Sequence, residues 1–128
     1  MNAPLRVFTL EYNSNANTIS PHVRHISPDN VLKDLYRILN CELVTCTEIK
    51  VNGTLFDVWS DDEALLKPNP VPNLYIDDDL IIFGSIAFAK ADDEGKLVGL
   101  YGAEIQLLWK FYLEQFAKLL KFIRTKRR

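Results

Sequence analysis

Two cysteines, two histidines and five glycines are all that this 128-residue chain contains, and each scarcity removes a class of chemistry. Cys41 and Cys46 are too few to staple a fold and read as reduced thiols. They stand five apart at the entrance to an expected strand, where odd spacing points them to opposite faces. The glycines build neither a phosphate-cradling loop nor a dinucleotide fingerprint, and neither Ser27 nor Ser85 stands in a nucleophile elbow. No uncharged apolar run approaches the roughly 20 residues that span a bilayer. The start, MNAPLRVFTLEYNSN, lacks the cationic and apolar regions of a secretory signal. The expectation is a cytoplasmic protein without an integral membrane segment and without a cofactor.

What is present suits one ordinary domain: 48% hydrophobic and 25% charged residues, on a chain long enough to bury a core unaided. The net charge of −2 conceals an asymmetry. From Trp109 onward seven basic residues face Glu114 alone, a balance of +6, so the first 108 residues carry −8. A mildly acidic body thus ends in a basic segment, which fits an anionic partner, self-association, or cations complementing a helix C-terminus.

LRVFTLEY (5–12) is apolar and β-branched and ends in the turn-forming cluster NSNAN, so a strand is expected, with TISPHVRHI as its return. Pro21 confines that return to an edge or a bulge. SPDNVLKDLYRILN predicts a helix with Ser27 as N-cap, Pro28 at its first position, Asp29 in the first turn, and Val31, Leu32, Leu35, Ile38 and Leu39 at helical spacing. Residues 43–60 predict a hairpin about Asn52-Gly53, with Val51 opposite Thr54, Ile49 opposite Phe56, Thr47 opposite Val58, Cys46 opposite Trp59 and Glu48 opposite Asp57. The prolines at 68, 70 and 72 predict a surface crossover with one helical turn near Asp61–Leu66.

LIIFGSIAFAK reads as one central strand buried on both faces. Asp77, Asp78 and Asp79 precede it, and Asp92, Asp93 and Glu94 follow it. About ten residues of strand would hold the two clusters roughly 30 Å apart, too far for one metal ion, so they read as strand punctuation. Gly95 is placed for a left-handed turn residue leading into LVGLY. The final helix has Ile105, Leu108, Tyr112, Phe116, Leu119 and Ile123 as its stripe, widened by Trp109, Leu113 and Leu120, with Gln106, Lys110, Glu114, Lys118, Lys121 and Thr125 on the polar side. About 20 residues make roughly 30 Å of helix, more than a small sheet covers easily.

The expected architecture is an α+β domain: a single small antiparallel-rich sheet of about five or six strands (residues 1–102) with a short Ser27-capped helix, and a long C-terminal amphipathic helix with a basic tail (103–128) packed on it. The candidate contacts for a protein partner or nucleic acid are Lys118, Lys121, Arg124, Lys126, Arg127 and Arg128. The helix carrying them is also the candidate surface for homo-oligomerisation. Two weaker constellations compete: Glu48 with Asp57 as a carboxylate pair, and His22, His25, Cys41 and Cys46 as a zinc-like set whose histidines point apart if extended.

The order of pieces, above all DLIIFGSIAFAKADDEGKLVGLYGAEIQLLWKFYLEQF, resembles the family known as domain of unknown function 3846. Its pattern sets an aspartate, an apolar pair and a glycine at a strand, then an acidic turn, a leucine, and a helix ending near a phenylalanine. Asp79, Ile81, Ile82, Gly84, Leu100 and Phe116 hold those places, and the resemblance covers residues 5–116. The proline-rich crossover departs from the segment containing asparagine and glycine that members often have. The resemblance implies an accessory protein of a prophage or other mobile element and brings no catalytic residues. The expected function is therefore a non-enzymatic interaction protein that binds a host or phage protein. The alternatives are a nucleic-acid-binding accessory using the basic end, or an anti-defence protein with an acidic mimic surface.

Overall fold

The computed structural model describes residues 3–126. β1 (Leu5–Asn13) and β2 (Thr18–Ile26) form an antiparallel hairpin. Pro21 has no amide to donate, and β2 is an edge strand, as expected. β3 (Val44–Val51) and β4 (Thr54–Asp61) form a second hairpin about Asn52 and Gly53, whose φ values of 53° and 84° are the two positive values a type I′ turn needs. Because a two-residue turn fixes register, Ile49 meets Phe56, Thr47 meets Val58, Cys46 meets Trp59 and Glu48 meets Asp57, as the sequence predicts.

The single long strand expected from Leu80 to Lys90 does not form. The segment divides into β6 (Leu80–Phe83) and β7 (Ile86–Ala91). Gly84 sits between them at φ 81°, a reversed torsion that turns the chain out of the pleat. β6 pairs in a separate two-stranded sheet with β5 (Pro72–Asp77), a strand where the prolines predict a surface crossover. β7 lies at the centre of the main sheet, ordered β2-β1-β7-β4-β3, with the short β8 (Leu97–Val98) paired to its end. Ile86, Ala87, Phe88 and Ala89 are all buried, so the central half of the expectation holds. The acidic clusters flank different strands, so the length of one strand does not set their separation. Each makes a turn: Asp77 accepts the Asp79 amide at 2.8 Å, and Asp92 accepts the Glu94 and Lys96 amides at 2.9 and 3.0 Å.

α1 (Val31–Leu39) starts later than Ser27. Asn30 occupies the N-cap position, without a side-chain capping bond. Ser27 instead heads a separate turn: its carbonyl accepts the Asn30 amide at 3.0 Å and its hydroxyl accepts the Asp29 amide at 3.2 Å. Ser-Pro-Asp suits the start of a type I turn as well as that of a helix, which explains the displaced boundary. Asp34 reaches back to the Ser27 amide at 2.7 Å and ties the turn to the helix. A single 3-10 turn, Ala64–Leu66, follows β4.

α2 (Gly102–Lys126) crosses the sheet face opposite α1. Its first turn is held by Glu104, which accepts the Tyr101 amide at 2.9 Å and the Lys90 ammonium at 2.8 Å. One face of the sheet gives Phe8, Leu10, Ile49, Phe56, Val58 and Phe88 to a core with Leu108 and Tyr112 of α2 and Leu74 and Ile82 of the small sheet. The other face packs Ala87 on Leu35 and Leu39 of α1. No helix among the described residues is long and apolar enough to cross a membrane.

Candidate functional site

Lys118, Lys121 and Arg124 are exposed on the last turns of α2. None of the described ion pairs includes them, not even with Glu114, four residues before Lys118. The Lys126 side chain, Arg127 and Arg128 lie outside the described residues.

The structure adds an apolar surface beside those cations. Leu113 and Leu120, expected to widen the buried stripe, are 47% and 43% exposed, and Ala117 between them is exposed too. At roughly 100° per residue the buried stripe runs through Leu108, Tyr112, Gln115 and Leu119, and Leu113 and Leu120 fall about a third of a turn off its centre. Gln115 takes the inward place, donating to the Tyr75 carbonyl at 2.7 Å. Half-buried Trp109 and Phe116 link the exposed pair to the core. Trp109 packs edge-on against Phe8, with ring centroids 6.1 Å apart, and Phe8 lies opposite Val23 of β2. Directly opposed residues share a sheet face, so Val23, 47% exposed, projects on the α2 side, with Pro21 and Ile19 following at alternate positions. The exposed flank of α2 and the Val23 face of β2 therefore lie on the same side of the sheet, with Lys110, Lys121 and Arg124 exposed along the helix.

Other constellations offer less. A cleft of about 240 Å³ lies between the end of α1 and residues 61–71, lined by Tyr12, Asn40, Asp61, Lys67, Pro70 and Ser85 among others. Its charged groups neutralise each other: Lys67 pairs with Asp61 at 2.5 Å and donates to the Asn40 carbonyl at 3.3 Å. The Asp61 contact holds the Lys67 ammonium above its usual pKa, the reverse of what a nucleophilic or basic lysine needs. Ser85 accepts the Tyr12 amide at 3.0 Å. Glu48 and Asp57 face each other across the β3–β4 hairpin, where burial and then Glu48 raise the Asp57 pKa and the Cys46 thiol partly offsets them. Burial, then the Asp57 carboxylate, pushes that thiol up to about 11, away from nucleophilic character.

The histidines and cysteines are not brought together. His22 and His25 lie on β2 with side chains on opposite faces, and His22 turns to Ser20 and Glu11 at 3.0 and 4.0 Å. Cys41 follows α1, and Cys46 sits on β3 at the far edge of the sheet. Among the described residues, no three His, Cys, Asp or Glu side chains are grouped to hold a metal ion.

These features define an α+β module in which a six-stranded antiparallel sheet is covered by α1 on one face and by α2 with a two-stranded sheet on the other. The chain belongs to the family Domain of unknown function (DUF3846), whose model matches residues 14–117. The match ends at Ala117, so Lys118, Lys121 and Arg124 follow the shared segment. No curated protein and no solved structure matches the chain.

Proposed function

We propose that this chain is a non-enzymatic interaction module that holds a protein partner on the flank of α2 and the adjoining face of β2. The observation that carries this reading is the exposure of Leu113 and Leu120 beside Trp109, Phe116 and Val23. Apolar side chains gathered on one side of a folded domain suit a contact site. Lys110, Lys121 and Arg124 at its side favour a partner segment with carboxylates flanking its apolar residues. The pairing of Lys67 with Asp61 and the raised pKa of Cys46 support a role without catalysis. An accessory role in a prophage or other mobile element, directed at a host or phage protein, belongs to this reading and rests on the family resemblance.

Nucleic-acid binding is the second reading, favoured by the exposed Lys118, Lys121 and Arg124. A photo-crosslinking residue at position 113 or 120 separates the two. A protein adduct that survives nuclease and 1 M salt, and that is competed by the unlabelled chain but not by a Leu113→Glu/Leu120→Glu chain, supports the protein reading. Adducts to nucleic acid, abolished by salt, favour the second.

A further inference from the structure

The two edges of the main sheet are unlike. β2 carries Pro21 near its middle, a device that blunts edge-to-edge pairing. β3 has no proline and runs without a bulge through eight pairs with β4, and among the described residues no strand lies on its other side. The two-residue turn makes Val51 and Thr54 a mutually bonded pair, so Val51, Ile49 and Thr47 bond inward. The amides and carbonyls of Lys50, Glu48, Cys46 and Val44 consequently point away from the sheet. The side chains of Cys46, Glu48 and Lys50 are exposed.

The charges on this edge are self-complementary. Glu48 and Lys50 project on one face, two residues apart, and neither they nor Asp57 take part in a described ion pair. Glu48 already faces Asp57 across the hairpin, a like-charge contact that lacks a cation. A second β3 laid antiparallel about a two-fold axis through Ile49 sets Glu48 opposite Lys50 of the second copy, and Lys50 opposite its Glu48. That register also sets the outward-bonding even positions against even positions, and the α2-facing Ile49 against Ile49. Centring the axis on Glu48 would oppose two glutamates, and centring it on Thr47 would set both charges against Cys46 and Val44. Only the Ile49 register pairs both charges.

We propose that a second copy of this chain docks along β3 in the Ile49-centred register, one six-stranded sheet continuing into the other through Glu48 and Lys50. Sedimentation equilibrium on the full chain tests it, with far-UV circular dichroism and melting to confirm that each variant is folded. The wild type is expected to form a dimer. Glu48→Lys and Lys50→Glu each turn both attractive contacts into repulsive ones and should weaken the dimer by about tenfold or more. An equimolar mixture of the two single variants should associate, because the Glu48→Lys chain then offers only cations at these two positions and the Lys50→Glu chain only carboxylates. The double variant should recover the wild-type affinity. A wild type that stays monomeric at hundreds of micromolar overturns the proposal. So do folded single variants that dimerise as the wild type does, or a mixture that fails to associate.

Discussion

The Tyr112 hydroxyl donates to Asn73 Oδ1 at 2.7 Å inside the core, and the Asn73 amide donates to the Gly84 and Leu10 carbonyls at 2.8 and 3.3 Å. One fully buried asparagine thus joins the long helix, the crossover strand, the break between β6 and β7, and the N-terminal strand. The packing that orients α2, and with it the exposed flank, depends on this junction.

Replacing Tyr112 by Phe keeps the ring and strands Asn73 Oδ1 without its donor. A buried acceptor left unpaired costs about 1–3 kcal/mol, so urea unfolding of Tyr112→Phe should show a loss in that range. Asn73→Ala removes three bonds and leaves two carbonyls and a hydroxyl unmatched, and a larger loss is expected. If Tyr112→Phe unfolds at the wild-type midpoint, the junction does not hold the helix.

Burial also pushes the Tyr112 pKa from 10.0 up to about 12. Below pH 10 the folded and unfolded chains both keep the phenolic proton. Between pH 10 and 12 the unfolded chain releases it while the folded chain retains it, so stability falls as pH rises through this window. The difference in melting temperature between wild type and Tyr112→Phe should accordingly shrink from pH 9 to pH 12. A constant difference would place Tyr112 in water.

Much of this architecture was legible in the sequence, for local reasons. Asn52-Gly53 specifies a turn type, and the turn type specifies which residues face each other, so the β3–β4 register followed without reference to the rest of the fold. Pro21 marked an edge because a missing amide cannot be hidden inside a ladder. Gly84 was harder: LIIF and IAFA are apolar on both sides of it, and hydropathy does not register a reversed φ. Asn73 directly follows three prolines in five residues and reads as loop, although its side chain is as buried as any leucine. The flank of α2 departs from the helical pattern because the width of a helix stripe depends on how much sheet lies beneath it, a tertiary quantity. Gln115 gained the inward position because the Tyr75 carbonyl was there to accept it.

At Gly84 the prediction concerns backbone alone. A Cβ added there would meet the nearest side chain, Ala64, at 3.8 Å, an ordinary contact. Gly84→Ala therefore costs what a left-handed torsion costs an L-residue, about 1–2 kcal/mol. Asn17, Asn40, Asn52 and Asn69 all hold positive φ in this chain, so Gly84→Asn should be tolerated better than Gly84→Ala. Thermal melts of the two variants check the order, and equal losses would point to side-chain crowding.

The contrast between the two sides of α2 ties stability to the proposed function. Leu119 and Leu108 are buried beneath the helix, and truncating either to Ala should cost about 2–5 kcal/mol through lost transfer energy and the cavity left behind. Leu113 and Leu120 face water, so Leu113→Glu and Leu120→Glu should each change stability by about 0.5 kcal/mol or less. An apolar residue exposed where folding gains little from it is free for another use, and each glutamate should abolish crosslinking from a probe at the other of the two positions while the melting curve stays in place. If the glutamate variants unfold as readily as Leu119→Ala, the leucines belong to the core and the docking surface lies elsewhere. Unchanged melting together with unchanged crosslinking would show that neither leucine anchors the partner and leave the β2 face, read through Val23→Glu, as the surface to test.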